Sequence, residues 1–308
     1  MGSELTAPAA AGLAGKLDRV PELAGPPRAV TELPGGLTNH NYKVTTGAGA
    51  FVARVWSGGG DFLAINRDHE YHNSVAAAQA GVGAPVVAYH PEDNLLVLRF
   101  IEGRTFGNSD VQAPANIPRI AQACRQLHAG PRFGNDFDMF AVQARYRGVV
   151  AEHGFRLPPR YDDFLPAVAA MREALGPRVT VPCHNDLLAA NMLDDGTRVR
   201  LIDYEYAGNN DAAFELGNIW SEATLPRELL DVLIAAYHGQ DRPDQVARAQ
   251  LFALMSQYGW TLWASIMDGS STLDFDFWEW GMQKYERAVA TFDGPELETL
   301  LDVAGGAR

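Results

Sequence analysis

Three polar residues in one stretch of this chain have the types and spacing that handling a phosphoryl group requires. Asp186 is followed five positions later by Asn191, and Asp203 closes the short run V-R-L-I that begins at Val199. An aspartate can orient a hydroxyl and take its proton. An asparagine and a second aspartate can offer oxygen ligands to a hard cation such as Mg²⁺. Phosphoryl transfer asks for positioning and charge neutralisation more than for covalent help, so these are the parts it needs. Each residue alone has an ordinary alternative: His184-Asn185-Asp186 as a polar turn, Asn191 as an Asx turn or cap, Asp203 as a helix cap. Leu187, Leu188, Met192 and Leu193 supply apolar anchors between them, and Ile202 leads straight into Asp203. All three then fall in the order of a catalytic Asp, a metal Asn and a metal Asp.

The same stretch carries a resemblance. C-H-N-D-L-L-A-A-N-M-L with L-I-D-Y-E-Y-A-G-N-N-D-A-A-F-E-L-G-N resembles the choline/ethanolamine kinase family, within the broader aminoglycoside-phosphotransferase group. The H-x-D-x-x-x-x-N part marks the broad group, and I-D-Y-E-Y with F-E-L-G-N points to the choline-kinase branch. The likeness runs from about Thr31 onward. It implies a two-lobed protein-kinase-like fold, ATP and Mg²⁺ as cofactors, Asp186 as catalytic base, and Asn191 and Asp203 as metal ligands. It also implies that Glu215 holds the backbone of the catalytic loop and that Glu222 lies at the acceptor. A plain helical glutamate is the alternative for either. One departure is Leu188, where eukaryotic members often carry a polar residue near choline.

The bulk composition narrows the class of partner. At 308 residues the chain can hold one large domain or two lobes. Its formal net charge of −13, without a basic cluster, excludes a nucleic-acid partner and suits a cationic small molecule better than an anionic one. Cys124 and Cys183 are isolated and lack metal-ligand spacing, so a disulfide framework is not expected and a reducing cytoplasm is. The N-terminus has no basic start or apolar core of a signal peptide, and no run is long enough to span a membrane.

The elements that must position the three residues begin near Val30. Residues 1–30 are rich in Ala, Gly and Pro, and Leu13, Leu17 and Val20 fit one short amphipathic helix. E-L-P-G-G-L-T-N-H-N-Y-K-V then reads as strand, Gly-rich turn, strand, and A-F-V-A-R-V-W as a third strand. At the turn, backbone N–H groups of Gly35 and Gly36 and side chains of Thr38 and Asn39 are expected to meet phosphates. Arg54 stands where protein kinases keep a strand lysine, and choline kinases typically carry Arg there; its guanidinium suits phosphate. The following helix offers Glu70 as the carboxylate that pairs with Arg54, with Asp68 as a neighbouring choice; a solvated helix face is the ordinary reading. Tyr71, Val75 and Ala78 are expected on its neighbouring turns. Two more strands, A-P-V-V-A-Y and N-L-L-V-L-R-F-I, lead to Arg99, Phe100 and Ile101, whose backbone is expected to read adenine.

Gly103 to Pro118 reads as a polar connector and the domain boundary. Ile117, Ile120, Cys124, Leu127 and His128 share helical spacing beyond it, with His128 a core residue rather than a ligand. Helices are expected around Val168 to Leu175, from Asp211 through Ala223, over Leu229 to His238, over Gln245 to Met267, and from about Phe277 to Thr291. This last third holds Trp260, Trp263, Trp278 and Trp280. Aromatics at helical spacing are usually core, but a quaternary ammonium is held best by aromatic faces and a carboxylate. W-T-L-W with D-F-D-F-W-E-W resembles the family segment that supplies such a cage. Trp260, Trp263 and Trp280, with Glu222 and Asp186, are therefore assigned to the acceptor, and Trp220 and Trp278 to core or rim.

The expected architecture is α+β: residues 1–102 a nucleotide-binding lobe of antiparallel sheet with one helix, and residues 103–308 a mostly helical catalytic lobe. The expected activity is transfer of the γ-phosphoryl group of ATP to the hydroxyl of choline or a related amino alcohol. The alternatives are an aminoglycoside, ethanolamine or thiamine acceptor, or a nucleotide-binding regulator without catalysis, which would normally lack one of the three polar residues.

Overall fold

The computed structural model of the chain describes residues 7–34, 36–56 and 60–306. The first part runs through helix α1 (Ala7–Leu17), strands β1 (Ala29–Leu33), β2 (Asn39–Thr46) and β3 (Gly49–Trp56), helix α2 (Arg67–Gln79), and strands β4 (Val86–His90) and β5 (Leu95–Arg99). These strands form an antiparallel sheet in the order β1-β2-β3-β5-β4. Side chains alternate across a strand, and the alternation divides the labour of this sheet. Phe51, Ala53, Leu95 and Val97 pack with Leu13, Leu17, Val20 and Leu23 into one core. Their neighbours Val52, Arg54, Leu96 and Leu98 face the opposite way and line a cleft.

The second part opens with β6 (Arg104–Thr105), the short helix α3 (Asn108–Val111), and helices α4 (Ile117–His128), α5 (Met139–His153) and α6 (Leu165–Leu175). Thus the expected connector contains two small elements, and β6 pairs with a strand of the second lobe. Strands β7 (Thr180–Cys183), β8 (Met192–Asp194), β9 (Val199–Leu201) and β10 (Gly208–Asp211) follow. Pairing of β7 with β10, and of β6 with β8 and β8 with β9, builds two small antiparallel sheets. His184 to Asn191 hang between β7 and β8, and Asp203 lies two residues past β9.

Helices α7 (Ala212–Glu222), α8 (Arg227–His238), α9 (Pro243–Ser270), α10 (Phe277–Phe292) and α11 (Glu296–Gly306) complete the chain. From Leu251 to Met267 every residue of α9 is buried, so this helix is the axis of the lobe and needs no polar face. Helices α5, α7, α10 and α11 pack around it. Gly217 is what lets α7 approach so closely, because a Cβ there would run into the carbonyl of Ala249. Among the described residues no helix is long and apolar enough to cross a membrane.

Candidate active site

The loop that carries Asp186 is held from beneath by a buried carboxylate. Glu215, on the first turns of α7, accepts the N–H of His184 at 2.9 Å and that of Asn185 at 2.7 Å. Burial alone would push the Glu215 carboxyl up. The hydrogen bond and charge of His128, with the hydrogen bond from the His184 N–H, outweigh this and hold it below the ordinary carboxylate value. His128 is fully engaged, with Nδ1 at 2.8 Å from the Tyr237 hydroxyl and Nε2 at 3.3 Å from Glu215. Cys183 lies beside them, so a Cys-His-Glu cluster exists, but Glu215 and Cys183 are committed to backbone groups and His128 to Glu215 and Tyr237. Both cysteines are buried free thiols.

Asn185 sits in left-handed backbone, φ 66°, where asparagine is tolerated better than most residues. Its amide donates to the carbonyls of Cys183, Tyr206 and Gly208. His184 donates Nε2–H to the Ile202 carbonyl at 2.7 Å, which leaves Nδ1 to accept the Asp186 N–H at 3.3 Å. Burial lowers the pKa of this imidazole, in keeping with a neutral ring of fixed tautomer. Asp186 emerges from this framework with its carboxyl pushed well above the ordinary value. The causes are burial, then the charges of Glu222, Asp203 and Glu205, eased by Lys284.

Asn191 turns Nδ2 toward the Asp186 carbonyl at 2.8 Å, so its amide oxygen is the end left to face the cleft. Asp203, also at a left-handed φ of 73°, meets Arg54 Nη1 at 2.5 Å. The same Nη1 lies 2.6 Å from Glu70, which settles the choice between the two acids of α2: Asp68 instead accepts from the Tyr89 hydroxyl. Burial works against the Arg54 cation, but Asp203 and Glu70 hold it more firmly protonated than a free guanidinium. For Asp203 burial raises the pKa, while the charge and hydrogen bond of Arg54 override it and keep the carboxylate ionised. Arg54, Glu70, Asn191, Asp203 and Gly36 all line one cavity of about 350 Å³, with Arg99, Phe100 and Ile101 at its far edge. That volume lies in the range of small-ligand clefts. Arg99 and Phe100 donate their N–H groups to Pro85 and Ala50, which leaves Ile101 as the backbone donor of this trio without a partner among the described residues.

The glycine-rich turn differs from expectation. Gly35 lies outside the described residues. Gly36 has no room for a side chain, because a Cβ would collide with the carbonyl of Asn39. Thr38 and Asn39 do not line the cleft; both donate to Glu205, at 2.9 Å each. Glu205 is the nearest anion to them, and Arg67 reaches it at 3.2 Å. Burial, with the charges of Asp203 and Glu70, pushes the Glu205 carboxyl up to about 7. Sequence reasoning passed over Glu205, which sits in a turn just past the left-handed Asp203 where no regular periodicity marks it.

The aromatic residues form a connected group around Tyr206 and Trp280. Trp263 donates Nε1–H to the Tyr206 hydroxyl at 2.8 Å and stands edge-on to Trp280, with centroids 5.5 Å apart. Trp260 packs against Tyr206 at 5.0 Å and is buried, and its Nε1 has no partner among the described residues. Glu222, at the end of α7, shares a cavity with Trp280 and Lys284. The structure therefore brings Trp280 and Glu222 to one cavity with Trp263 packed on Trp280, and adds Lys284 in the cavity and Tyr206 against Trp260 and Trp263, which the sequence reading did not name. Trp278 is capped by Arg156 at 3.8 Å, and Trp220 packs on the core.

Comparison with known proteins agrees with this geometry. Protein LicA of Haemophilus influenzae is 26% identical over 245 residues, covering 76% of this chain and 72% of that protein. Ethanolamine kinase 2 of Rattus norvegicus is 28% identical over 257 residues, covering 73% of this chain and 66% of that enzyme. A crystal structure of a choline/ethanolamine kinase family protein from Mesorhizobium loti superposes with a TM-score of 0.84 at 29% identity, covering 96% of this chain and 99% of that one. The model of the phosphotransferase enzyme family matches residues 29–250. This chain belongs to the phosphotransferase enzyme family.

Proposed function

We propose that the protein transfers the γ-phosphoryl group of ATP to the hydroxyl of choline or a related amino alcohol. One observation carries the reading: the buried Asp186 carboxyl feels both the charge of Asp203, which lines a cleft with Arg54, Glu70 and Asn191, and the charges of Glu222 and Lys284, which line a pocket with Trp280. In this reading residues 1–102 and 103–308 form the two lobes, a division supported by the pairing of Arg104 with Asp194 just past it. Asp186 orients the acceptor hydroxyl and takes its proton, and its raised basicity suits that task. Arg54 and the backbone around Gly36 face the phosphates. Thr38 and Asn39 belong to the reading as the anchor of that loop on Glu205. Arg99, Phe100 and Ile101 border the adenine.

Asn191 and Asp203 fit Mg²⁺, because both bring oxygen donors to the cleft and the local carboxylates outnumber the guanidiniums. When bound, the ion neutralises phosphate charge. The ammonium of the acceptor is held by the faces of Trp263, Trp280 and Tyr206 and by the field of Glu222, with Trp260 supporting Tyr206 from behind. The test is release of ADP from Mg²⁺·ATP against choline, ethanolamine, thiamine and several aminoglycosides. Turnover with an amino alcohol is expected. Turnover confined to an aminoglycoside or thiamine would keep the kinase and discard the acceptor.

A further inference from the structure

The acceptor pocket already contains a cation of the chain's own. Lys284, on α10, places its ammonium 2.6 Å from one oxygen of Glu222 and against the other as well. It also lies 4.2 Å over the ring of Trp280. Its side chain is 3% exposed and that of Glu222 6%, so both charges are out of water and their pairing is obligatory. Both nevertheless reach the cavity that Trp280 lines, and both are felt at Asp186. The polar edge of the neighbouring ring is committed too, since Trp263 donates to Tyr206.

This arrangement bears on the kind of ammonium the pocket can take. A primary ammonium brings three N–H donors that lose their water on entry and need acceptors in exchange. The buried carboxylate of the pocket, Glu222, already receives N–H bonds on both oxygens, and the other carboxylate that lines it, Glu286, is exposed and keeps its water. A quaternary ammonium has no N–H to satisfy. It needs ring faces rather than acceptors, and Trp263 stands beside Trp280 to offer one. Repulsion by Lys284 acts on either cation alike and cancels in the comparison. Resting on the acceptor class proposed above, we propose that Lys284 is a specificity-determining residue. By occupying the hydrogen-bonding positions of Glu222, it biases the pocket toward acceptors with a quaternary ammonium head over those with a primary amine.

The test has two readouts, so that failure of the inference and failure of the acceptor reading are separable. Turnover is compared with choline and ethanolamine. Binding is followed without turnover, by tryptophan fluorescence, with tetramethylammonium and methylammonium chloride. The wild-type protein is expected to prefer the quaternary cation by about tenfold or more in both, the scale of one unsatisfied charged donor set. Lys284→Met frees Glu222 and should bring the two cations within about threefold, whereas Lys284→Arg keeps donors on Glu222 and should retain the preference. Should Lys284→Met not fold, the wild type and Lys284→Arg still decide. A wild type that binds methylammonium as well as tetramethylammonium overturns the inference, as does a folded Lys284→Met with the wild-type ratio. Preferential tetramethylammonium binding without turnover of either alcohol supports the inference and refutes the acceptor reading.

Discussion

The two buried cations on either side of Asp186 live in opposite settings. Around Arg54 two guanidiniums, its own and that of Arg67, face three carboxylates: Glu70, Asp203 and Glu205. One negative charge is left over, and it shows in Glu205, pushed up to about 7. Around Lys284 one ammonium meets one buried carboxylate and the ring of Trp280, with Trp263 edge-on behind it. A region with surplus carboxylate is prepared for a metal ion and the phosphates that come with it. A balanced region has no charge to give and must select its ligand by shape, ring faces and the absence of unmet donors. The difference separates the two substrates of one reaction by electrostatic type.

The sharpest way to break this contrast is to remove its metal side. Asp203→Ala should lower Mg²⁺-dependent turnover on the order of a thousandfold, the scale of losing a charge-stabilising group at a phosphoryl centre. A Mg²⁺ titration checks it, and an unchanged metal response would move the metal role elsewhere. Asp186→Ala removes the group between the two regions. Turnover should fall about a hundredfold with the KM for ATP nearly unchanged, the typical share of general-base catalysis. Steady-state kinetics in both substrates separates these parameters.

The Arg54 side of the contrast was more legible in the sequence than the Lys284 side. Strands β2 and β3 could be read from alternation, and the same alternation that buries Phe51 and Ala53 turns Arg54 into the cleft. Helix α2 was placed correctly, but its face was not. Tyr71, Val75 and Ala78 were the apolar guide, whereas the buried residues are Glu70, Asn73, Ser74, Ala76 and Ala77. A helix that faces an ionic cleft buries polar groups, and hydrophobic periodicity is blind to that. Helix α11 escaped notice because it follows Gly294-Pro295 and buries only Leu300 and Ala304. The partnerships were the least legible part. Glu205 meets Thr38 across 167 positions and Lys284 meets Glu222 across 62. No local spacing encodes such pairs. A lysine in the polar-looking stretch Q-K-Y-E-R reads as a solvated helix face until α7 and α10 are packed on α9.

The ring side gives a smaller effect. Trp263→Leu removes one face of the pocket and the donor to Tyr206. The KM for a quaternary acceptor should rise about tenfold, the scale of a desolvated cation–π contact, with kcat and the KM for ATP little changed. An equal loss in kcat would show that Trp263 acts on the geometry of Asp186 instead.

The smallest expected effect concerns stability, and its sign distinguishes Asp186 from Glu215. The Glu215 carboxyl is depressed below 4.5 in the folded chain. It therefore contributes stability that is present above pH 4.5 and lost as the pH falls through its folded value. Asp186 is the reverse. Its folded pKa lies above the ordinary 3.8 through burial and the neighbouring carboxylates. Below pH 3.8 both folded and unfolded chains hold the proton, and the group costs nothing. As the pH rises, the unfolded chain ionises first, so a cost builds until the folded pKa is passed and stays constant above it. Asp186→Asn should then melt about 2 °C higher than wild type at pH 8, the scale of about 1 kcal/mol in a chain of this size. The difference should vanish below pH 3.8. Thermal unfolding in the absence of nucleotide, followed across that range, reads it directly. A variant that melts lower at pH 8 would mean that the Asp186 carboxylate holds the loop together, as Glu215 does, and is not kept there at a cost for catalysis.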